Sequence, residues 1–168
     1  MSKSKEKNVN IEEEELDDDT QEIFDKTTKK KSYKNYTITS FDVVAFGPDL
    51  NLKSKKCELS KGVPSHAGMI FHHSKGYVTF EYGLLSDDNF LLPDEEEVIP
   101  YYRHPHLNLY GCSIKSGTLK DITLKDVLVH GLLWVQQFDD KKGKYPGNCR
   151  GYVDSCLEFL GKGRYWLK

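Results

Sequence analysis

"TLKDITLKDVLVHGLLWVQQF", Thr118 to Phe138, is where the chain changes its period. After Thr123 the positions Leu124, Val127, Leu128, Gly131, Leu132 and Val135 fall at i, i+3, i+4, i+7, i+8 and i+11, the spacing of one helix face. Two capping boxes overlap at its start, Thr118/Asp121 and Thr123/Asp126. Upstream, the apolar runs are short, rich in β-branched and aromatic residues, and broken by turn residues. Strands first and helices afterwards predict an α+β domain, an antiparallel β-sheet packed against helices drawn mostly from the C-terminal part.

Working outward, "YTITSFDVVAFG" (Tyr36 to Gly47) reads as a strand that ends at Gly-Pro-Asp. "VPSHAGMIFHH" and "GYVTFEYG" are two more, joined by Ser74-Lys75 as a tight hairpin. "LSDDNFLLPDEEE" reads as an acidic surface loop, and "EVIPYYRH" and "HLNLYGCSI" as further strands, the first held to an edge by Pro100. On the C-terminal side, "DDKKGKYPG" is a loop. A second helix follows, capped by Asn148 and closed by Gly161 at its C′ position. Residues 1–34 are almost all charged or polar, so they are expected to be a disordered tail that solubilises the chain or engages a partner. Residues 35–168 are expected to form the folded domain.

A chain of 168 residues leaves room for one such domain, and its formal charge of −2 argues against a general nucleic-acid binder. No apolar run approaches a membrane span, and the N-terminus lacks the apolar core of a secretion signal. The four cysteines form no CxxC pair, so the expectation is reduced thiols and a cytoplasmic protein.

Two of those cysteines share the last helix. Cys156 lies in the middle of the apolar stripe formed with Tyr152, Val153, Leu157 and Leu160, and is a packing residue. Cys149 opens the helix, where unpaired N–H groups and the helix dipole favour a thiolate. It is a candidate nucleophile that needs a base, and the alternative is an ordinary buried thiol. Nothing marks Cys57 or Cys112.

Six histidines compete for the role of base. His104 and His106 flank Pro105 as an HxH pair, but no further ligand stands at a suitable spacing, so no metal and no cofactor are expected. His130 falls beside the helix stripe as a boundary residue, and His72 and His73 fall at the hairpin turn, in solvent. His66 opens a strand beside Ala67 and Gly68, whose small size leaves room for a close approach. A two-residue hairpin loop pairs His72 with Tyr77 and puts Glu81 on the face of His66. A bulge at Gly76 would instead bring Tyr82 to that face.

The motifs "SHAGMIFHHSKGYVTFEYG" and "NCRGYVDSCLEFL", in that order, resemble the circularly permuted papain-like cysteine hydrolases. That superfamily includes the NlpC-type permuted amidases, the lecithin:retinol acyltransferase-like proteins and the PPPDE peptidases. The resemblance covers about residues 63–161. It implies Cys149 as nucleophile, His66 as general base and Asn148 as the residue that caps the helix. The family's third polar position aligns with Phe80, which cannot serve; Glu81 or Tyr82 then substitutes, or the pair acts as a dyad. The implied activity is a thiol hydrolase acting on a peptide, protein or acyl-amide substrate. The alternatives are a lipid acyltransferase or phospholipase of the same superfamily, and an inactive papain-like binding module.

Overall fold

The structure is a computed structural model that describes residues 16–30, 35–47, 64–86, 88–91, 101–139 and 148–166. Cys57, Pro100, the acidic run at 92–97, the loop at 140–147 and the ends of the charged tail lie outside the described residues.

Six strands form one antiparallel sheet: β1 (Thr37–Gly47), β2 (His66–His73), β3 (Gly76–Glu81), β4 (Leu84–Ser86), β5 (Tyr102–Arg103) and β6 (Tyr110–Thr123). Their order across the sheet is β4-β3-β2-β1-β6-β5. Three helices accompany them: α1 (Asp18–Lys30), α2 (Leu124–Asp139) and α3 (Cys149–Phe159). The fold is therefore α+β, as the change of period predicts, with α3 packed on β2 and α2 packed between α3 and α1.

Alternation along the central strands gives each face its own apolar cluster. Phe41, Val43, Ala67, Met69, Phe71, Val78 and Phe80 face the helices and meet Leu128, Leu132, Val153, Cys156 and Leu157. Val44, Phe46 and Ile70 point the other way and are covered by Phe90 with Tyr77, Tyr102 and Leu109. Both faces of the central strands are thus buried, which is why β2 reads as a nearly continuous apolar run.

Three local readings change. The Thr118/Asp121 box caps nothing, because both residues belong to β6, whose partner β1 holds it extended through pairs such as Phe41↔Gly117 and Ser40↔Thr118. The Thr123/Asp126 box is realised in full: Thr123 N–H donates to Asp126 Oδ2 at 2.8 Å, and Asp126 N–H to Thr123 Oγ1 at 3.3 Å. Leu85 and Ser86, read as the start of an acidic loop, belong with Leu84 to β4, which pairs with β3.

The third change concerns the tail. Asp18–Lys30 is a helix rather than disordered chain, with Leu16, Thr20 and Phe24 buried four residues apart. That single stripe, sparse among charges, packs on α2, and Asp17 N–H donates to Gln136 Oε1 at 2.8 Å. Cys112 also departs from expectation, since it is disulfide-bonded to a partner outside the described residues, while Cys149 and Cys156 are free.

A close backbone approach fixes the β3–β4 turn. Gly83 has φ +82°, and a Cβ on Gly131 of α2 would lie 2.0 Å from the Gly83 carbonyl oxygen. Only glycine at position 131 lets α2 press directly on this turn, which lies next to the candidate site.

Candidate active site

The start of α3 supplies the thiol. Asn148 is extended at φ −137°, and its Oδ1 accepts the Gly151 N–H at 2.8 Å. This leaves Cys149 as the first helical residue, and it is buried. The start of β2 supplies the imidazole. His66 is paired with Phe46 of β1, its ring 5.7 Å from the Phe46 ring, and it is only 2% exposed.

The end of β3 supplies a carboxylate. The hairpin pairs His72 with Tyr77 and Met69 with Phe80, with Ser74-Lys75 as the two-residue loop and no bulge at Gly76. Glu81 therefore falls on the face of His66, and its Oε1 lies 2.7 Å from His66 Nε2. The room beside Gly68, expected to admit a close approach, is filled by Phe90, whose Cζ would lie 2.7 Å from an added Cβ.

His66 is hydrogen-bonded to the Cys149 thiol on one side and to Glu81 on the other. With Nε2 engaged by Glu81, Nδ1 is the nitrogen left for the thiol, and the Tyr82 hydroxyl stands 3.5 Å from it. Cys149 and His66 come from opposite faces of the sheet and meet around the end of β2, where the Ala67 N–H also donates to the sulfur.

The electrostatics favour an ion pair. Burial alone would lower the His66 pKa, but its hydrogen bonds to Cys149 and Glu81 and their negative charges carry it up to about 9. Burial would likewise raise the Cys149 thiol. The hydrogen bond and charge of His66, with the N–H groups of Ala67 and Arg150, hold it below the usual thiol range. Glu81 is kept below the usual carboxylate range against its own burial by hydrogen bonds from His66 and His104. Cys156, by contrast, is fully buried and pushed up to about 12. The two cysteines of one helix thus differ in chemistry because only one meets an imidazole.

His104 is the residue that sequence reasoning missed. Its Nε2 lies 2.5 Å from Glu81 Oε1, and its ring packs against Phe46, Phe90 and His66. The HxH signal was visible, but the side chain that His104 meets stands 23 positions upstream. His66, Glu81 and His104 do place three ligand atoms within 4.8 Å of one another, close enough for an ion.

The hydrogen bonds at His104 weigh against that use. Its Nδ1 accepts the N–H groups of His106 and Leu107 at 3.1 and 3.0 Å, so the ring proton belongs on Nε2, facing Glu81. A cation at Nε2 would have to displace that proton while Nδ1 still faced two donors, leaving an imidazolate.

The remaining histidines stand apart from the site. His106 Nε2 pairs with Asp88 Oδ2 at 2.7 Å. His72, expected in solvent, pairs with Asp42 Oδ2 at 2.8 Å, and Ser113 donates to the other oxygen of that carboxylate. His130 stacks on Phe159 and bonds to Ser155, and burial takes it down to about 4. No family model matches the chain, and neither a curated protein nor a solved structure matches it.

Proposed function

We propose that the chain is a thiol hydrolase of an amide, isopeptide or related acyl bond, with Cys149 as nucleophile, His66 as base and Glu81 as the group that orients His66. One observation carries this reading: a thiol at the first position of a helix is hydrogen-bonded to an imidazole whose other nitrogen rests on a carboxylate. Nucleophile, base and orienting acid in that sequence of contacts are what acyl transfer requires. The order of the histidine strand before the cysteine helix, in an α+β domain, supports a permuted papain-like arrangement.

In this mechanism the thiol proton resides on His66 before substrate arrives. The thiolate attacks the carbonyl carbon, and the C=O electron pair moves to oxygen, where the Cys149 N–H at the start of α3 can receive it. Collapse of the tetrahedral adduct breaks the C–N bond as His66 gives its proton to the leaving amine. Water, deprotonated by His66, then cleaves the thioester and releases the acid.

A peptide, protein or acyl-amide substrate fits this chemistry. Among the described residues, no helix is long and apolar enough to cross a membrane. The test is Cys149→Ala. Labelling by a thiol-directed acyl probe and any hydrolysis of acyl amides should disappear while the circular dichroism spectrum is kept. Survival of either activity in that variant would remove the reading.

A further inference from the structure

Glu81 is shared between two imidazoles, and the second has no part in the mechanism above. His104 comes from the segment between β5 and β6, is 9% exposed, and places its Nε2 against the same Oε1 that His66 uses. We propose that His104 is a positioning residue of the hydrolase site, donating its Nε2–H to Glu81 so that the carboxylate stays ionised and aimed at His66. This rests on the hydrolase reading and adds a fourth member to it.

The argument is one of proton inventory. His104 Nδ1 accepts two backbone N–H groups, which commits its ring proton to Nε2. The two N–H groups belong to His106 and Leu107, so the loop that carries His104 also fixes its tautomer and its ring plane. A second clasp from the same loop, His106 to Asp88, ties it to the segment beside Phe90.

Glu81 is largely buried, and a buried carboxylate stays ionised only when donors surround it. The titratable groups facing it are His66, His104, Tyr82 and, beyond His66, Cys149. Of these, His66 must surrender a proton during each turnover, whereas His104 does not touch the reacting atoms. His104 is thus the donor that remains in place throughout the cycle.

Two substitutions separate positioning from mere structure. The amide of Gln at position 104 reaches about as far as imidazole Nε2 and can donate to Glu81, but it abandons the loop N–H groups. Asn keeps an acceptor where Nδ1 stood and cannot reach Glu81. The readout is the pH dependence of Cys149 alkylation by iodoacetamide in the full chain, followed by mass spectrometry.

His104→Asn should move the acid limb of that profile upward by about one pH unit, a tenfold loss of rate on the limb, as expected for one charge-assisted hydrogen bond. His104→Gln should track the wild type. A purely structural role predicts the reverse order, with Asn unaffected and Gln impaired, and that result overturns the proposal while leaving a low-titrating wild-type thiol and the hydrolase reading intact. A wild-type thiol that titrates in the ordinary range overturns both.

Should the variants not fold, imidazole ¹⁵N shifts of the wild-type protein decide the matter. A protonated Nε2 and bare Nδ1 at His104 from pH 6 to 8 supports the role, and the opposite tautomer overturns it. Displacement of that Nε2 proton by equimolar Zn²⁺ would also overturn it, in favour of a metal site.

Discussion

Tyr82 stands at φ +53° and Gly83 at φ +82°, so the two form the β3–β4 turn with both central residues in the left-handed region. Asparagine, aspartate and glycine take that conformation readily; a tyrosine does so at a cost of about 1 kcal/mol or more. Its ring lies 5.4 Å from the His66 ring, its hydroxyl 3.5 Å from Nδ1, and nearly half of it is open to solvent. In the proposed hydrolase, this strained, half-exposed aromatic beside His66 is the side chain that a substrate would meet first. Tyr82→Asn should therefore stabilise the fold by about 1 kcal/mol, which raises Tm by about 2–4 °C in a domain of this size. The same substitution should slow labelling of Cys149 by an acyl probe. A lowered Tm in thermal unfolding would mean that the tyrosine is not strained, and unchanged labelling would mean that its ring has no part in the site. The glutamate one position earlier was legible as one of two candidates, Glu81 or Tyr82, because a hairpin is local but its turn residues admit two registers. The two-residue loop of the structure fixes the register, and the register fixes the face on which Glu81 falls.

At the scale of the element, α3 carries both its packing and its chemistry in a short stretch. Tyr152, Val153, Cys156 and Leu157 are all fully buried on one stripe, and Gly161, at φ +73°, ends the helix as expected. The Leu157 carbonyl accepts the Lys162 N–H at 2.9 Å, and the Glu158 carbonyl accepts the Gly161 N–H at 3.0 Å. At the other end, Asn148→Ala removes the side-chain acceptor of the Gly151 N–H. The expected loss is about 1 kcal/mol in urea unfolding. Fraying of that turn should also release the Arg150 N–H from the sulfur and slow Cys149 alkylation at neutral pH; a stability loss without a change in alkylation would detach the cap from the chemistry. Elements that depend on distant partners were not legible in the same way. β6 looks polar and carries a capping box at Thr118, yet pairing with β1 holds it extended through Thr123. α1 hides a single stripe of Leu16, Thr20 and Phe24 among charges, and only the exposed side of α2 explains why it folds there. His104 was passed over for the same reason: the sequence offers it only as half of an HxH pair, and only the tertiary fold shows that it meets Glu81.

For the whole molecule, the site and the core together set how stability varies with pH. His66 rises from 6.5 to about 9 on folding, so taken alone its contribution is complete below 6.5 and is lost as pH rises through 9. Cys149 is lowered from 9.0, so its contribution is complete above 9 and is lost as pH falls through its folded value. In the window up to 9 the unfolded chain holds one proton on these two groups above 6.5, on the thiol, and the folded chain holds one above the lowered value of Cys149, on the imidazole. The proton moves within the pair, so the pair adds no slope across that window. On the acid side the decline in stability comes from His130. Burial lowers it to about 4, and at pH values between there and 6.5 only the unfolded state protonates it. Its share is at most roughly 3 kcal/mol, and less to the extent that water reaches the ring. Urea unfolding should therefore show stability falling as pH drops from 6.5 toward 4, and no alkaline loss from the Cys149–His66 pair, because above 9 both groups are deprotonated in both states. His130→Leu should flatten the acid side and leave the alkaline side unchanged; an acid fall of undiminished steepness in that variant would mean that His130 is not the group that titrates.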